Sequence, residues 1–220
     1  MCGRFILLTD LSVLAESFGI QEIVAEYQPA VNISPGRHIA AVVQHDKKRL
    51  IALRWGLIPA WADDPAIGNR MFNARGETVA EKPSFKDAFK KRRCLIPVDG
   101  FYEWQKSGKG KRPLCFSLKS GRPFGLAGLY ETWISPGKDR IHTCTIITTD
   151  ANDLIRPVHD RMPAIIPKDK ESVWLDLRNG NPAELASLLK PYPEDEMVIS
   201  EVDANMFPRP SAEAIAPPIC

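Results

Sequence analysis

The stretch RCLIPVDGFYEW (residues 93–104) opens a run of four strand-like segments that decides the fold. It is followed by PLCFSLK (113–119), FGLAGLYETW (124–133) and IHTCTIITT (141–149). Each segment is rich in β-branched and aromatic residues, and the turn-forming sequences KSGKGKR, SGRP and SPGKDR separate them, which predicts four successive strands. Because short connections favour antiparallel pairing, we expect a largely antiparallel arrangement.

Towards the N-terminus, the pattern predicts an extended start at residues 3–8 and a helix in TDLSVLAESFGI (9–20), with Thr9 or Asp10 as N-cap and Gly19 at its end. IAAVVQ (39–44) and RLIALRW (49–55) flank the polar HDKK and predict a hairpin. SFKDAFKKRR (84–93) predicts a short helix opened by a Ser84–Asp87 capping box.

Towards the C-terminus, helical patterns return in DANDLIRPV (150–158), KESVWLDL (170–177) and PAELASLLK (182–190), and MVISEV (197–202) predicts a last strand. The nineteen prolines fall mostly at the edges of these segments and indicate one α+β domain without a long linker. We expect this domain to span residues 1–205 and a proline-rich tail to span 206–220.

Composition limits the classes of function. The net charge of +2 and the pI of about 8.3 fall below the range of strongly basic nucleic-acid binders, which begins at a pI of about 9. No stretch approaches the roughly 18 apolar residues of a membrane span and no secretory signal is evident, so we expect a cytosolic protein. The five cysteines show no C-x-x-C pair, which predicts reduced thiols rather than disulfides or a metal site: Cys2, Cys94, Cys115, Cys144 and Cys220.

The N-terminal segment MCGRF places a cysteine where removal of Met1 creates a 1,2-aminothiol. An α-amine has a pKa of about 8 and a thiol about 8.5, so both groups are partly reactive near neutral pH. With an aldehyde, the amine forms an imine and the thiol then closes a five-membered thiazolidine. The alternative is that Cys2 is a cysteine of no consequence.

Three other segments carry candidate site residues. In MFNARGET, Asn73 offers an amide and Arg75 a planar fork for phosphate, although Asn-Ala-Arg is also compatible with a strand exit bearing a surface salt bridge. In PVDGFYEW, the aromatic neighbours of Glu103 raise its pKa if the carboxyl is buried, or Glu103 faces solvent. In RPVHDRMP, His159 lies in a loop and is suited to proton transfer, unlike His38, His45 and His142 in ordinary strand or turn contexts.

With these residues in view, the sequence resembles the SOS-response-associated peptidase (SRAP) family of abasic-site sensor and crosslinking proteins. The motifs run in order from residue 1 to about 205: MCGRF, NISPG, RWGLIP followed by Trp61, NARGET, PVDGFYEW, GLYETW, TIITTDAN and HDRMP. The resemblance implies a barrel-like β core flanked by short helices, no cofactor and no metal. It also implies covalent capture of abasic sites in single-stranded or junction DNA as a thiazolidine in the DNA damage response, with strand cleavage in some members.

The resemblance also implies roles for single residues. Cys2 matches the nucleophile, Asn73 the asparagine that positions it, and Glu103 and His159 the proton-transfer pair. The residues that match DNA contacts are Arg4, Pro35, Trp61, Arg75, Thr148 and Arg161. Some relatives carry a second aromatic residue after the position of Trp61, where this chain has Ala62.

Two other classes of function stay open. One is a thiol peptidase acting on its own N-terminus through Cys2, with His159 and Glu103. The other is a non-covalent nucleic-acid binder that uses KDAFKKRR and KSGKGKR as basic surfaces. In each case we expect a monomer without membrane association, which is nucleoid-associated when bound to DNA.

Overall fold

The computed structural model describes residues 2–108 and 110–207. Within these ranges, fourteen strands and four α-helices follow one another. The strands are β1 Phe5–Leu7, β2 Glu22–Ile23, β3 Ala30–Ile33, β4 His38–Gln44, β5 Lys48–Trp55, β6 Asn73–Arg75, β7 Arg93–Val98, β8 Gly100–Ser107, β9 Gly110–Leu118, β10 Phe124–Ile134, β11 Arg140–Asp150, β12 Arg161–Pro163, β13 Ile165–Ile166 and β14 Met197–Glu201. The helices are α1 Leu11–Phe18, α2 Lys86–Lys91, α3 Glu171–Leu175 and α4 Pro182–Ser187.

A closed five-stranded barrel forms the core. β11 pairs with β10, β10 with β7, β7 with β4 and β4 with β5, all antiparallel. A parallel pairing of β5 with β11, through Arg54 and Trp55 opposite Thr143 and Cys144, closes the circle. The expected α+β fold with a largely antiparallel, barrel-like core and short flanking helices is therefore confirmed.

A second, fully antiparallel sheet has the order β14-β9-β8-β1-β3. The expectation that residues 93–104 form one strand is wrong, because β7 belongs to the barrel and β8 to this second sheet. The break lies at Asp99, whose carboxylate accepts hydrogen bonds from the backbone N–H groups of Leu8 and Thr9. Gly100 is required next, since a Cβ there would lie 2.9 Å from the Cys115 sulfur.

Aromatic packing joins the second sheet to the barrel. The ring of Phe5 in β1 lies 5.3 Å from that of Trp55 in β5, and both side chains are buried. The Trp55 indole in turn packs edge-on against Phe72 at 6.3 Å and donates a hydrogen bond to its carbonyl at 2.8 Å. Large buried aromatic side chains contribute much of a core's stability. Through Trp55, these contacts hold the start of β1 close to Phe72, the residue before β6.

The helix at residues 9–20 and the hairpin at 39–55 are confirmed as α1 and as β4 with β5. Gly19 ends α1 at a φ of 64°, where its N–H bonds to the carbonyls of Ala15 and Glu16. α3, α4 and β14 also form inside the segments predicted for them.

Two local predictions are wrong. No Ser84–Asp87 capping box forms, because α2 begins at Lys86 and the Lys82 carbonyl accepts the N–H groups of Phe85 and Lys86. The segment 150–158 contains hydrogen-bonded turns instead of a helix, since Pro157 lacks the N–H that helix continuation requires.

The prediction of a domain boundary near residue 205 stays a prediction, because Met1 and residues 208–220 of the proline-rich tail lie outside the described residues. Among the described residues, none of the helices has the length and apolar character needed to cross a membrane.

Candidate active site

Pairing between β1 and β8 brings the chain start to the middle of the second sheet. Phe5 lies opposite Phe101, and the N–H of Tyr102 donates to the Arg4 carbonyl at 2.9 Å, which extends the ladder beyond β1. Cys2 is completely buried and Glu103 is 5% exposed. Glu103 is therefore buried as predicted, and the solvent-facing alternative is wrong. Its aromatic neighbours are not the cause, because Tyr102 and Trp104 both pack on Phe207 and so lie on the other face of β8.

Asn73 links the barrel to the N-terminal segment. It begins β6, which pairs parallel with β11 through Ile146 opposite Asn73. Its Nδ2 donates to the Cys2 carbonyl at 2.9 Å and to the Phe72 carbonyl at 2.8 Å. These two acceptors fix the orientation of the amide, so Oδ1 is the free acceptor: it is buried and has no hydrogen-bond partner among the described residues.

Burial controls the protonation of Cys2 and Glu103. Desolvation raises the pKa of the Glu103 carboxyl from 4.5 to about 7. Burial also raises the pKa of the Cys2 thiol well above its usual range, and the nearby charge of Glu103 raises it further. At neutral pH the site therefore holds a protonated thiol beside a carboxyl that is close to half-protonated. A carboxyl of this kind serves as both acid and base.

His159 approaches this pair from the turn before β12. Burial is the main cause that lowers the pKa of its imidazole, which favours the neutral form. Its Nδ1 lies 2.9 Å from the backbone nitrogen of Arg161 and accepts that N–H when it carries no proton. Asp160 Oδ1 lies 2.8 Å from the same Nδ1 and accepts a hydrogen bond from it when the imidazole is charged. The charge of Asp160 also adds to the raised pKa of Glu103, after desolvation.

Arg161 is already paired with carboxylates. Its guanidinium bonds to both oxygens of Glu77 at 2.8 and 2.9 Å, to Asp150 at 2.6 Å and to the Thr148 carbonyl at 2.7 Å. The hydroxyl of Thr148 is buried and donates to the Ala74 carbonyl at 3.3 Å. Both residues thus hold β11, β6 and β12 together beside the site.

The other candidate DNA contacts are more accessible. Arg75 is exposed at the end of β6. Trp61 is 59% exposed, and Pro35 is half-buried in the turn between β3 and β4. Ala62 is buried and its carbonyl accepts the Trp133 indole N–H at 2.6 Å. The second aromatic residue that some relatives carry would have to fit into this packed contact. At positions 61 and 62 of this chain, only Trp61 therefore offers an exposed aromatic ring.

Arg4 lies among residues that sequence reasoning missed. Its guanidinium donates to Asn32 Oδ1 at 2.9 Å and lies over the rings of Trp104 and Phe207 at 5.8 and 5.7 Å. Asp160 and Glu77 were missed as well. Asp160 and Glu77 lie in the quoted motifs HDRMP and NARGET, where the charge next to a candidate residue was a usable signal. Asn32 and Trp104 lie in NISPG and PVDGFYEW, whereas Phe207 lies outside the quoted motifs.

The described cysteines are free thiols, in agreement with the prediction of reduced cysteines, while Cys220 lies outside the described residues. Within residues 2–108 and 110–207, no three His, Cys, Asp or Glu side chains are grouped so as to hold a metal ion. The basic segment KDAFKKRR is less exposed than expected, because Arg93 is completely buried and Arg92 pairs with Glu131 at 2.6 Å.

Comparison with known proteins identifies the family. The sequence matches the family described as SOS response associated peptidase (SRAP) over residues 1–207. The chain is 44% identical over 208 residues to the abasic site processing protein YoqW of Bacillus subtilis, with 93% of each chain covered. It is 31% identical to the abasic site processing protein HMCES of Xenopus tropicalis, over 76% of this chain and 59% of that protein.

Solved structures agree with this result. A crystal structure of a protein from Bacteroides thetaiotaomicron superposes with a TM-score of 0.85 at 28% identity and covers 93% of both chains. A protein from Bordetella bronchiseptica superposes with a TM-score of 0.80 at 25% identity, over 92% of this chain and 100% of the other. The chain therefore belongs to the SOS response associated peptidase (SRAP) family.

Proposed function

We propose that this protein processes abasic sites in DNA and that it captures them covalently through Cys2 once Met1 has been removed. The contact between Asn73 and Cys2 carries the proposal: the amide holds the Cys2 carbonyl at 2.9 Å and leaves a buried acceptor, Oδ1, beside it. A buried polar atom without a partner is unfavourable unless a ligand or a reaction intermediate satisfies it. The names of the relatives, abasic site processing proteins, give the substrate class.

The chemistry balances without a cofactor. The ring-opened abasic sugar presents an aldehyde, and the free amine of Cys2 adds to its carbon to give a carbinolamine, which loses water to form an imine. The Cys2 sulfur then adds to the imine carbon, and the thiol proton ends on the nitrogen. One aldehyde and one aminothiol thus give one thiazolidine and one water.

Glu103 is suited to both proton transfers. With a pKa of about 7, its protonated form donates to the departing hydroxyl of the carbinolamine. The carboxylate formed in that step is then ready to accept the thiol proton, which burial otherwise keeps on sulfur. His159, whose lowered pKa favours the neutral imidazole, is assigned to opening of the sugar ring. The same imine supports strand cleavage, since loss of a proton from the sugar carbon next to it expels the 3′ phosphate.

The DNA contacts have a positional role. Arg4 and Arg75 are assigned to phosphates beside the lesion, and Trp61 and Pro35 to the unstacked bases of single-stranded or junction DNA. Arg161 and Thr148 line the same side of the site, where a phosphate would compete with Glu77 for the guanidinium. None of these contacts reads base identity, so we expect binding that is independent of sequence.

The test is adduct formation on an abasic single-stranded oligonucleotide, using protein whose intact mass shows that Met1 is absent. We expect a wild-type adduct that survives heating in detergent, and no such adduct with an intact strand. Cys2→Ser retains the amine but exchanges sulfur for a weak nucleophile. It should give only an imine that borohydride traps, and a heat-stable Cys2→Ser adduct would refute the role of sulfur.

Protein made while methionine removal is inhibited supplies the matched control, because it has the same thiol but a blocked amine. It should form no adduct, and a normal yield would refute the role of the amine. Loss of Met1 under these conditions from wild type, but not from Glu103→Gln or His159→Ala, would instead support the thiol autopeptidase.

A further inference from the structure

A short C-terminal segment after β14, residues 203–207, crosses one face of the second sheet and reaches the rings of Tyr102 and Trp104 in β8. The chain leaves β14 at one edge of this sheet, and the Met206 carbonyl accepts a hydrogen bond at 3.4 Å from Asn32 of β3, the strand at the other edge. Between them, the Phe207 ring packs edge-on against Tyr102 at 4.8 Å and Trp104 at 5.3 Å, both in β8.

The segment is ordered by its own hydrogen bonds. The Asp203 side chain accepts from the N–H of Asn205 at 2.9 Å, and its carbonyl accepts from the N–H of Met206 at 3.1 Å. The N–H of Phe207 donates to the Ala204 carbonyl at 3.1 Å. These bonds form one tight turn that aims the Phe207 ring back at the sheet.

The ring completes an enclosure around Arg4. The guanidinium lies 5.7 Å from the Phe207 ring and 5.8 Å from the Trp104 ring, and Asn32 accepts one of its N–H groups at 2.9 Å. Asn32 thus touches both the cation and the C-terminal segment. An arginine side chain has many rotamers, so a guanidinium held before binding loses less freedom when a phosphate arrives.

We propose that Phe207 is a positioning residue for DNA binding: together with Trp104 and Asn32 it holds the Arg4 guanidinium in place to receive a backbone phosphate. Arg4 follows Cys2 by two positions in the chain, so we expect this phosphate to belong to a nucleotide near the captured sugar. The inference rests on the proposed function, because it takes DNA as the ligand of Arg4. It adds a role for the C-terminal segment and for Phe207 in particular.

The test compares ring-retaining and ring-removing variants in binding to an undamaged single-stranded oligonucleotide, followed by fluorescence anisotropy. Phe207→Leu keeps an apolar side chain but removes the π face, and a cation–π contact of this strength corresponds to about two- to five-fold weaker binding. Phe207→Tyr retains the ring and should bind like wild type. A plot of log affinity against log salt concentration has a negative slope, and Arg4→Met should make this slope less steep by about 0.7, as for one lost phosphate contact on a single strand.

A double variant separates positioning from general damage. In the Arg4→Met background, Phe207→Leu should cause no further loss of affinity, because its effect passes through the guanidinium. An equal loss in both backgrounds, or no loss in the wild-type background, would overturn the proposal. Failure of the proposed function is seen separately, as a wild-type protein that binds undamaged DNA yet forms no adduct with abasic DNA.

Discussion

Asn73 determines where the backbone of Cys2 lies, and its contribution depends on an N–H donor. The amide donates to the carbonyls of Cys2 and Phe72 and so joins the N-terminal segment to the start of β6. Asn73→Asp keeps the shape but turns the donor into an anionic acceptor, whereas Asn73→Ala removes the group. Because a displacement of about 1 Å costs on the order of a hundredfold in rate, we expect both variants to slow adduct formation about a hundredfold, as measured in single-turnover reactions on abasic DNA.

The comparison between the two variants identifies the group responsible. If Asn73→Asp reacts at the wild-type rate while Asn73→Ala is slow, packing rather than the N–H donor positions Cys2. Binding to an undamaged strand serves as the control, because Asn73 contacts the chain start and not the residues assigned to phosphate. That affinity should stay within about twofold of wild type in both variants.

At the scale of elements, Arg93 connects α2, β7 and α3. It is completely buried and makes five hydrogen bonds, to the carbonyls of Phe89, Lys90, Trp174, Asp176 and Asn179. Arginine has five N–H donors, and the carbonyls at helix ends lack partners within the helix. Arg93→Met leaves these carbonyls unsatisfied in the interior, so we expect a loss of about 3 to 5 kcal/mol in the free energy of unfolding, measured by urea denaturation.

Arg178→Met is the matched control, because it removes another arginine from the same region. Its side chain is 92% exposed and pairs with Asp176 at 3.0 Å, and exposed ion pairs contribute about 1 kcal/mol or less. A similar loss in both variants would contradict the structural role of Arg93. Sequence alone suggested that Arg93 is exposed, since it ends the basic run KDAFKKRR, which is typical of a charged surface.

Elements with a strong local pattern were predictable, and those defined by distant partners were not. Apolar spacing and Gly19 were enough to locate α1, and turn sequences located the hairpin of β4 and β5. β6 and β12 are three residues long and exist because β11 pairs with both. No periodicity is visible in three residues. The break at Asp99 depends on Leu8 and Thr9, which lie about ninety positions earlier in the chain.

At the scale of the whole molecule, each sheet supplies part of the site. Cys2 precedes β1 and Glu103 lies in β8, both strands of the second sheet. Asn73 begins β6 and His159 precedes β12, and both of these short strands pair with the barrel strand β11. The residue types were recognisable from sequence because their motifs stand in family order. Their meeting point was not, since the Asn73–Cys2 contact spans 71 positions. Packing of Phe5 on Trp55 therefore sets the geometry of the site as well as the stability of the core.

Burial of Glu103 makes the stability of the whole molecule depend on pH. The folded state raises the pKa of this carboxyl from 4.5 to about 7, so the unfolded chain ionises first as pH increases. Between pH 4.5 and 7 the unfolded state binds fewer protons than the folded state, and the stability provided by the protonated carboxyl is therefore lost as pH rises through the folded pKa. At 1.36 kcal/mol per unit, the loss amounts to about 3 kcal/mol in the free energy of unfolding.

Glu103→Gln isolates this contribution, because an amide of similar shape does not titrate. The difference in unfolding free energy between Glu103→Gln and wild type, measured by urea denaturation at intervals from pH 4.5 to 8, should shift in favour of the variant by about 3 kcal/mol across that range. The exposed Glu26 provides the control, and Glu26→Gln should follow the wild-type profile. Parallel profiles for Glu103→Gln and wild type would mean that Glu103 ionises in the folded protein as it does in water. The carboxyl would then lack the protonated form that imine formation requires at neutral pH.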